Sequence, residues 1–196
     1  NSEQLLAASS EEEIYTSLEL PWVPPEIRED RGELECTKTP NLITQADIKC
    51  DLHCHTTASD GHMSIQELAE RAMERGFHTV AVTDHSQSQG QANGLKPDRM
   101  RKHIDAIREA NEQINSITIL AGSEVDILPD GSLDYDDALL SLLDIVVASP
   151  HAALNQSPKD ATARLLHAIE HPLVHIIGHP TGRIINKRKG LEPDIP

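Results

Sequence analysis

Alternation between short apolar segments and amphipathic helical segments is the feature that most constrains the fold of this chain. Five apolar runs rich in β-branched residues lie between about residues 48 and 178, and each has the length of a buried strand. The resulting order, βαβαβαβαβ, predicts a parallel sheet with right-handed crossovers, either open or closed into part of a barrel. Patterns with helical spacing separate the runs and cover residues 64–76, 97–115, 135–143 and 157–171.

Local signals predict where these helices begin. Ser64 followed by Glu67 has the spacing of a capping box, and Pro97 suits the first position of the next helix. Ser157 and Pro158 provide the same kind of start for the last helix. We expect its buried face to consist of Ala161, Leu165, Leu166 and Ile169.

Residues that commonly bind metal ions follow each of the apolar runs. In parallel barrels the carboxyl ends of the strands meet at one rim, so these side chains are expected to converge there. Recurrence at all five strand ends favours a metal site over isolated surface histidines. The residues are His53 and His55, then Asp84 and His85, then Glu124, then His151, and finally His179.

The end of the first predicted strand carries several candidate ligands close together. Side chains alternate along a strand, so His53 and His55 share one face and lie about 6.6 Å apart along the chain. A Ser-Asp-Gly turn follows and allows Asp60 to add an oxygen ligand to the two nitrogens. Such a mixture suits Zn, Mn or Fe. An isolated His-x-His pair is equally compatible with two ordinary histidines at a strand end.

The net negative charge of the chain argues against a broad basic surface that binds nucleic acid. The chain has 17 Lys and Arg against 32 Asp and Glu, a net charge of −15, whereas surfaces that bind phosphate backbones are normally basic. Aromatic residues make up 2% of the chain, too few for a base-stacking platform. One basic stretch, residues 183–189, follows His179 and either contacts a phosphate backbone or is a solvated loop.

Cysteine content and hydropathy are informative about the cellular compartment of the protein. Three cysteines without a Cys-x-x-Cys pair predict neither a disulfide framework nor a zinc ribbon. No segment approaches 18 apolar residues, and no signal peptide is visible. We therefore expect a cytoplasmic protein without a membrane partner.

Together these motifs resemble the PHP (polymerase and histidinol phosphatase) domain family. The wider family's motifs match His53-Cys54-His55, Asp84-His85, Glu124, His151 and Gly178-His179-Pro180. The chain is most similar to the C-terminal PHP domain of bacterial and archaeal family X DNA polymerases. That narrower resemblance rests on Asp60 and on residues 11–15 and 18–30, which are similar to the connector before the barrel in those polymerases.

The resemblance implies a distorted (β/α)₇ TIM-like barrel, of which this chain would hold about five βα units. We expect residues 1–46 to be an acidic, proline-containing connector from an upstream polymerase region, and residues 47–196 to be the N-terminal portion of the PHP phosphoesterase domain. The family also uses an Asp-x-His pair well beyond Gly178-His179-Pro180. The chain stops at Pro196 before such a pair, so we expect weak activity from this piece alone.

The site residues follow from the same resemblance. Up to three divalent ions, Mn²⁺ or Zn²⁺ with Fe as a further candidate, would be bound in the intact domain. Glu124 would bridge two of them, and Asp84 would orient a neighbouring ligand, so these two carboxylates are our catalytic candidates. Arg183 is our candidate for binding the substrate phosphate. The metal ligands implied are His53, His55, Asp60, His85, Glu124, His151 and His179.

The function implied is metal-dependent hydrolysis of phosphoesters in DNA. It would be a 3′–5′ exonuclease activity, with related AP-endonuclease or 3′-phosphatase activity in DNA repair, and its partners would be DNA and the upstream polymerase domains. Two alternatives remain open from the sequence. The chain could instead be a free-standing small-molecule phosphatase of the histidinol-phosphatase type, or a non-catalytic module that stabilises a polymerase.

Overall fold

The computed structural model describes residues 9–36 and 40–194 of the chain. It divides into two compact units, Asn1–Asp47 and Ile48–Pro196. Across the described ranges, no helix is both long enough and apolar enough to cross a membrane.

The first unit contains one α-helix in its described part, α1 (Glu11–Ser17). Ser10 caps this helix by accepting a hydrogen bond from the Glu13 backbone N–H at 3.2 Å, and three glutamates in the first turn suit the positive end of the helix dipole. Arg28 forms a bidentate pair with Glu11, at 2.9 and 2.8 Å, and lies 5.5 Å from the centre of the Tyr15 ring. Short 3₁₀ turns occupy Pro25–Ile27, Glu33–Glu35 and Gln45–Asp47.

The described part of the second unit contains a sheet of five parallel strands in sequential order, curled into a half-barrel. This confirms the predicted incomplete TIM-like architecture. The fifth strand is shorter than the predicted run of residues 173–178. The strands are β1 (Cys50–Cys54), β2 (Thr79–Val82), β3 (Thr118–Asp126), β4 (Ile145–Ser149) and β5 (Ile176–Ile177).

Helices follow the first four strands: α2 (Ile65–Glu74), α3 (Pro97–Gln113), α4 (Asp137–Leu140) and α5 (Pro158–Ile169). The capping box of Ser64 and Glu67 is present, and Pro97 opens α3, as predicted. The prediction of a helix over residues 135–143 was too long, since only the four residues of α4 are helical.

The predicted buried face of α5 was wrong in two positions. Leu166 and Ile169 are exposed, whereas Ala161, Leu165 and Ala168 are buried together with Arg164. At 100° per residue these four buried positions form one narrow stripe, and the two exposed residues project away from it. A charged side chain is therefore part of the buried face, while two apolar side chains that were predicted to lie in it are exposed.

The main core lies between the sheet and the helices. Small residues bring the strands close: a Cβ at Gly122 of β3 would lie 2.5 Å from Ile145 Cγ2 of β4. Parallel register keeps the carboxyl ends of the strands at one rim, where the residues that follow each strand can meet. Core residues on the sheet include Val80, Val82, Ile119, Val125 and Val146, and those on the helices include Leu68, Met100, Ile104, Ile107 and Leu139.

Candidate metal centre

One open cavity of about 600 Å³ lies at the carboxyl rim of the sheet. All seven side chains predicted as metal ligands line this cavity, although they come from five separate strand ends and one turn. Gln89, Gln91 and Ala92, from the loop after β2, complete its wall. The convergence follows from the parallel topology, because every strand delivers its last residues to the same rim.

Glu124 of β3 lies at the centre of the cluster, and its side chain is 1% exposed. Both of its carboxylate oxygens are surrounded by imidazole nitrogens. Oε1 lies 2.8 Å from His179 Nε2 and 3.3 Å from His151 Nε2. Oε2 lies 3.0 Å from His85 Nδ1, 3.3 Å from His53 Nε2 and 3.3 Å from His55 Nε2.

These short approaches do not amount to ordinary hydrogen bonding. Glu124 Oε1 and His85 Nδ1 are buried, and neither has a hydrogen-bond partner among the described residues. Groups of three ligand atoms, all within 4.8 Å of one another, occur as His53/His55/Glu124, His55/Asp60/His85 and His85/Glu124/His151. Nitrogen and oxygen donors that converge without satisfying each other fit divalent metal ions, and Glu124 belongs to two of the groups, as a bridging ligand would.

The carboxylates and imidazoles of the cluster change one another's pKa, and burial acts on all of them. Burial alone would raise the pKa of the Glu124 carboxyl, but the imidazoles of His151 and His179 and their neighbours lower it far below its ordinary value. Burial lowers the pKa of His85, which keeps that ring neutral. Burial opposes protonation of His151 as well, yet Asp126 and Glu124 raise its pKa to about 9, so an ion bound there would displace a proton.

A tight turn brings Asp60 back to the histidines of β1. Asp60 Oδ1 lies 3.0 Å from His55 Nδ1, and its Oδ2 lies 3.6 Å from His85 Nε2. The turn is closed by the Gly61 N–H, which donates to the Thr56 carbonyl at 2.9 Å. A Cβ at Gly61 would lie 2.2 Å from the His55 carbonyl oxygen, so only glycine permits this closure.

Asp84 has a different position from the predicted ligands. It is fully buried and does not line the cavity. Its carboxylate accepts hydrogen bonds from the Thr56 N–H and hydroxyl, at 2.9 and 2.7 Å, and from the Ser59 N–H and hydroxyl, at 3.1 and 2.5 Å. His103 Nε2 lies 2.8 Å away. Asp84 therefore fixes the turn between His55 and Asp60, which agrees with an orienting role and gives it no direct access to substrate in the cavity.

Two polar residues that support His151 were not predicted from the sequence. Asp126 Oδ1 lies 2.8 Å from His151 Nδ1, and its Oδ2 accepts from Gln89 Nε2 at 2.8 Å. Since Asp126 lies two residues after Glu124 on the same strand, the period of two would have placed both carboxylates on one face. No sequence signal indicated Gln89.

Arg164 of α5 is a further support that was not predicted from the sequence. It is 2% exposed and its guanidinium donates to the Ile127 carbonyl at 3.1 Å, and to the Ala152 carbonyl and Gln156 Oε1, both at 3.0 Å. Ile127 follows Asp126 and Ala152 follows His151, so one buried side chain links the two backbone segments that carry this pair.

His179 and Arg183 both follow β5 but differ in their relation to the cavity. Gly178 packs against β4 so closely that a Cβ there would lie 2.1 Å from Ser149 Oγ, and this approach places His179 beside Glu124. The His179 side chain is 49% exposed, more than those of the other four histidines of the cluster. Arg183 does not line the cavity and lies in the exposed loop after His179.

Comparison with known proteins gives two family matches. The model named "PHP domain" matches residues 51–186, and the model named "DNA polymerase beta thumb" matches residues 1–29. The chain is 46% identical over 187 residues to the "DNA polymerase/3'-5' exonuclease PolX" of Bacillus subtilis, a match that covers 95% of the chain and 33% of that protein.

Shorter proteins also match. A "Probable phosphatase" of Syntrophotalea carbinolica is 33% identical over 135 residues, and a probable phosphatase of Thermoanaerobacter sp. (strain X514) is 35% identical over 136 residues. Each match covers 66% of the chain and 53% of the relative. The chain thus spans about a third to a half of the length of the curated relatives it matches.

Proposed function

The chain belongs to the PHP domain family, and from this membership we propose that the cavity around Glu124 hydrolyses phosphate esters of DNA with the help of bound divalent metal ions. The proposal rests mainly on the set of imidazoles around a buried carboxylate, whose oxygen Oε1 has no hydrogen-bond partner in the part of the chain that the structure describes. Three groups of ligand atoms within 4.8 Å of one another support a capacity for more than one ion. Mn²⁺ and Zn²⁺ are the ions we favour, with Fe as a further candidate.

Each residue of the site would have a separate role in binding the ions or the substrate. His53, His55, Asp60, His85, His151 and His179 would hold the ions, and Glu124 would bridge between them. Divalent ions in such a site activate water as a nucleophile and neutralise the charge that gathers on a phosphoryl group. The ligand set contains no thiolate, and the wide mouth of the cavity gives a phosphate ester access to it. Arg183, beyond His179, is our candidate for binding a substrate phosphate.

DNA is the substrate we favour because of the extent of the match to the Bacillus subtilis protein. That match covers 95% of the chain, and the polymerase thumb model matches residues 1–29 in addition. We propose that residues 1–46 connect an upstream polymerase region to a phosphoesterase domain at residues 47–196, and that this domain removes nucleotides from 3′ ends during DNA repair. AP-endonuclease and 3′-phosphatase activities would use the same site. The polymerase domains and DNA would then be its partners.

A small-molecule phosphatase is the second candidate. It is favoured by the matches to proteins named as probable phosphatases, which are 33% and 35% identical to this chain. Those matches cover 66% of the chain, compared with 95% for the polymerase relative, and for this reason we place it second.

Metal content and nucleotide release test the proposal together. Purified protein would be analysed for bound metal and assayed with Mn²⁺ for release of nucleotides from a 3′-labelled single strand. The double variant His53→Ala/His55→Ala should lose both bound metal and hydrolysis. The matched control is His62→Ala/His167→Ala, since both of these histidines are exposed and neither lines the cavity.

Unchanged metal content and activity in the His53→Ala/His55→Ala variant would contradict the site. Hydrolysis of a small phosphate monoester without release of nucleotides would support the second candidate instead.

A further inference from the structure

The loop after His179 carries a concentration of positive charge that is unusual for this chain. Residues 171–191 contain no Asp or Glu, although the chain has 32 acidic residues in 196. The whole chain has 17 Lys and Arg residues, and four of them lie in the seven positions 183–189. In a protein of net charge −15, this segment is a local site of attraction for an anionic partner.

Residues 181–191 form a hairpin, in which residues 183–189 are exposed. Ile184 and Arg188 form an antiparallel bridge, with the Ile184 N–H donating to the Arg188 carbonyl at 3.0 Å and the reverse bond at 2.9 Å. The base is closed by the Leu191 N–H, which donates to the Thr181 carbonyl at 2.8 Å, and Leu191 itself is 3% exposed. We refer to residues 181–191 as the basic hairpin.

The four cationic side chains of the basic hairpin differ in the contacts that they make. Arg188 is committed to the hairpin itself, because its Nε and Nη2 donate to the Gly182 carbonyl at 3.0 and 2.7 Å. Lys189 pairs with Glu192 at 2.9 Å, but both side chains are exposed, so this pair is weak and exchangeable. Arg183 and Lys187 have no acidic partner within residues 9–36 and 40–194.

The basic hairpin is adjacent to the candidate metal centre. The Gly182 N–H donates to the His179 carbonyl at 3.0 Å, so a single turn separates the start of the hairpin from a residue that lines the cavity. Ile185, at the tip, is 73% exposed between the cations. Cationic side chains on both sides of exposed apolar ones are complementary to a nucleic-acid strand, which presents charged phosphates beside less polar sugars and bases.

We propose that the basic hairpin binds the backbone phosphates of a single nucleic-acid strand and thereby guides the end of that strand into the cavity beside His179. The inference rests on the proposed function, in that it assigns a strand-binding surface to the same phosphoesterase site. It explains how a strongly acidic chain can hold a polyanion: the contact is confined to one short segment with no acidic residue in it.

Binding without hydrolysis tests the hairpin separately from the metal chemistry. The purified chain, in EDTA, would be titrated against a fluorescein-labelled single-stranded oligothymidylate, and anisotropy would be recorded at several salt concentrations. The test variant is Lys187→Gln/Lys189→Gln. The matched control, Lys102→Gln/Lys159→Gln, removes the same charge from exposed positions on α3 and α5.

Each phosphate contact to a single strand contributes about 0.7 to the slope of log affinity against log salt. Loss of two contacts should lower the slope by about 1.4, so a fourfold rise in salt should weaken wild-type binding about 7-fold more than binding by the test variant. The control should keep the wild-type slope. Equal slopes and affinities in all three proteins, or no binding by the wild type at 50 mM salt, would overturn the proposal.

Hydrolysis assays and a vesicle-binding assay distinguish failure of the hairpin proposal from failure of the proposed function. With Mn²⁺, the test variant should hydrolyse bis(p-nitrophenyl) phosphate at the wild-type rate but show a raised KM for the oligonucleotide. Absence of hydrolysis of the small diester in both proteins would refute the proposed function, while the anisotropy result would still decide on the hairpin. Binding of phosphatidylserine vesicles in place of the oligonucleotide would assign the hairpin to a membrane surface and overturn the inference.

Discussion

The network around Asp84 gives a prediction whose size follows from the structure. Replacing Asp84 with Ala removes the acceptor for five donors: the N–H and hydroxyl of Thr56, the N–H and hydroxyl of Ser59, and His103 Nε2. The side chains of these residues can rotate towards other partners. The two backbone N–H groups cannot. The Ser59 N–H also donates to the Thr56 carbonyl at 3.2 Å, so among the described residues it is the buried Thr56 N–H that is left without an acceptor.

An unsatisfied buried polar group costs about 1–3 kcal/mol, and loss of one of the two hydrogen bonds of the Ser59 N–H costs about 0.5–1.5 kcal/mol, so Asp84→Ala should lower the free energy of unfolding by about 1.5–4.5 kcal/mol. This is a large share of the stability of an ordinary domain, about 5–15 kcal/mol. Asp84→Asn keeps one oxygen for the Thr56 and Ser59 N–H groups. Its NH₂ group would face the Thr56 hydroxyl and His103 Nε2, both of which can accept instead of donate, so we expect a loss of about 1 kcal/mol.

Urea unfolding followed by circular dichroism measures both losses. With a slope of about 2 kcal/mol/M, the Asp84→Ala midpoint should fall by about 0.8–2.2 M. Asp105→Ala, on the exposed side of α3, is the matched control and should stay within about 0.5 kcal/mol of the wild type. The reasoning is refuted if Asp84→Ala behaves like this control, or if Asp84→Asn is as damaging as Asp84→Ala.

Three further predictions concern the remaining supports of the site. Asp126→Asn should weaken Mn²⁺ binding, measured by isothermal titration calorimetry, by about 10- to 100-fold, because His151 loses the carboxylate that orients it; an unchanged affinity would contradict this role. Arg164→Met should lower the free energy of unfolding by about 2–5 kcal/mol, since buried carbonyls lose a charged donor, and Arg164→Lys should restore part of the loss in the same urea experiment. Gly122→Ala should destabilise by about 1–3 kcal/mol, because its Cβ would lie 2.5 Å from Ile145 Cγ2; a thermal midpoint equal to that of the wild type would show that β4 can move aside.

Much of the fold could be predicted from the sequence because its signals are local. The period of the apolar residues distinguished strands from helices, and the pair Ser64 and Glu67 marked the start of α2 within four positions of the chain. The convergence of the candidate ligands was also predictable. It requires only that the strands be parallel, since their carboxyl ends then share a rim, and the structure places His53, Glu124 and His179 there.

The supports of the site were decided by tertiary structure, because their partners are distant in the chain. Asp84 and Thr56 are 28 positions apart, Asp126 and His151 are 25 apart, and Arg164 and Ile127 are 37 apart. A residue pattern with a period of two or 3.6 carries no information about such pairs. The same limit explains the error on α5, where Arg164 is buried and donates to backbone carbonyls, while the apolar Leu166 and Ile169 are exposed.

The sequence by itself thus determined which elements form and which chemical groups reach the rim, since both depend on short-range periodicity and on strand direction. Only the tertiary structure decided which groups Asp84 holds by hydrogen bonds, that Asp126 orients His151, and that residues 181–191 form a hairpin beside His179. The physical reason is that a hydrogen bond depends on atoms within about 3 Å of each other, whatever their separation in sequence, and the packed fold alone sets those distances.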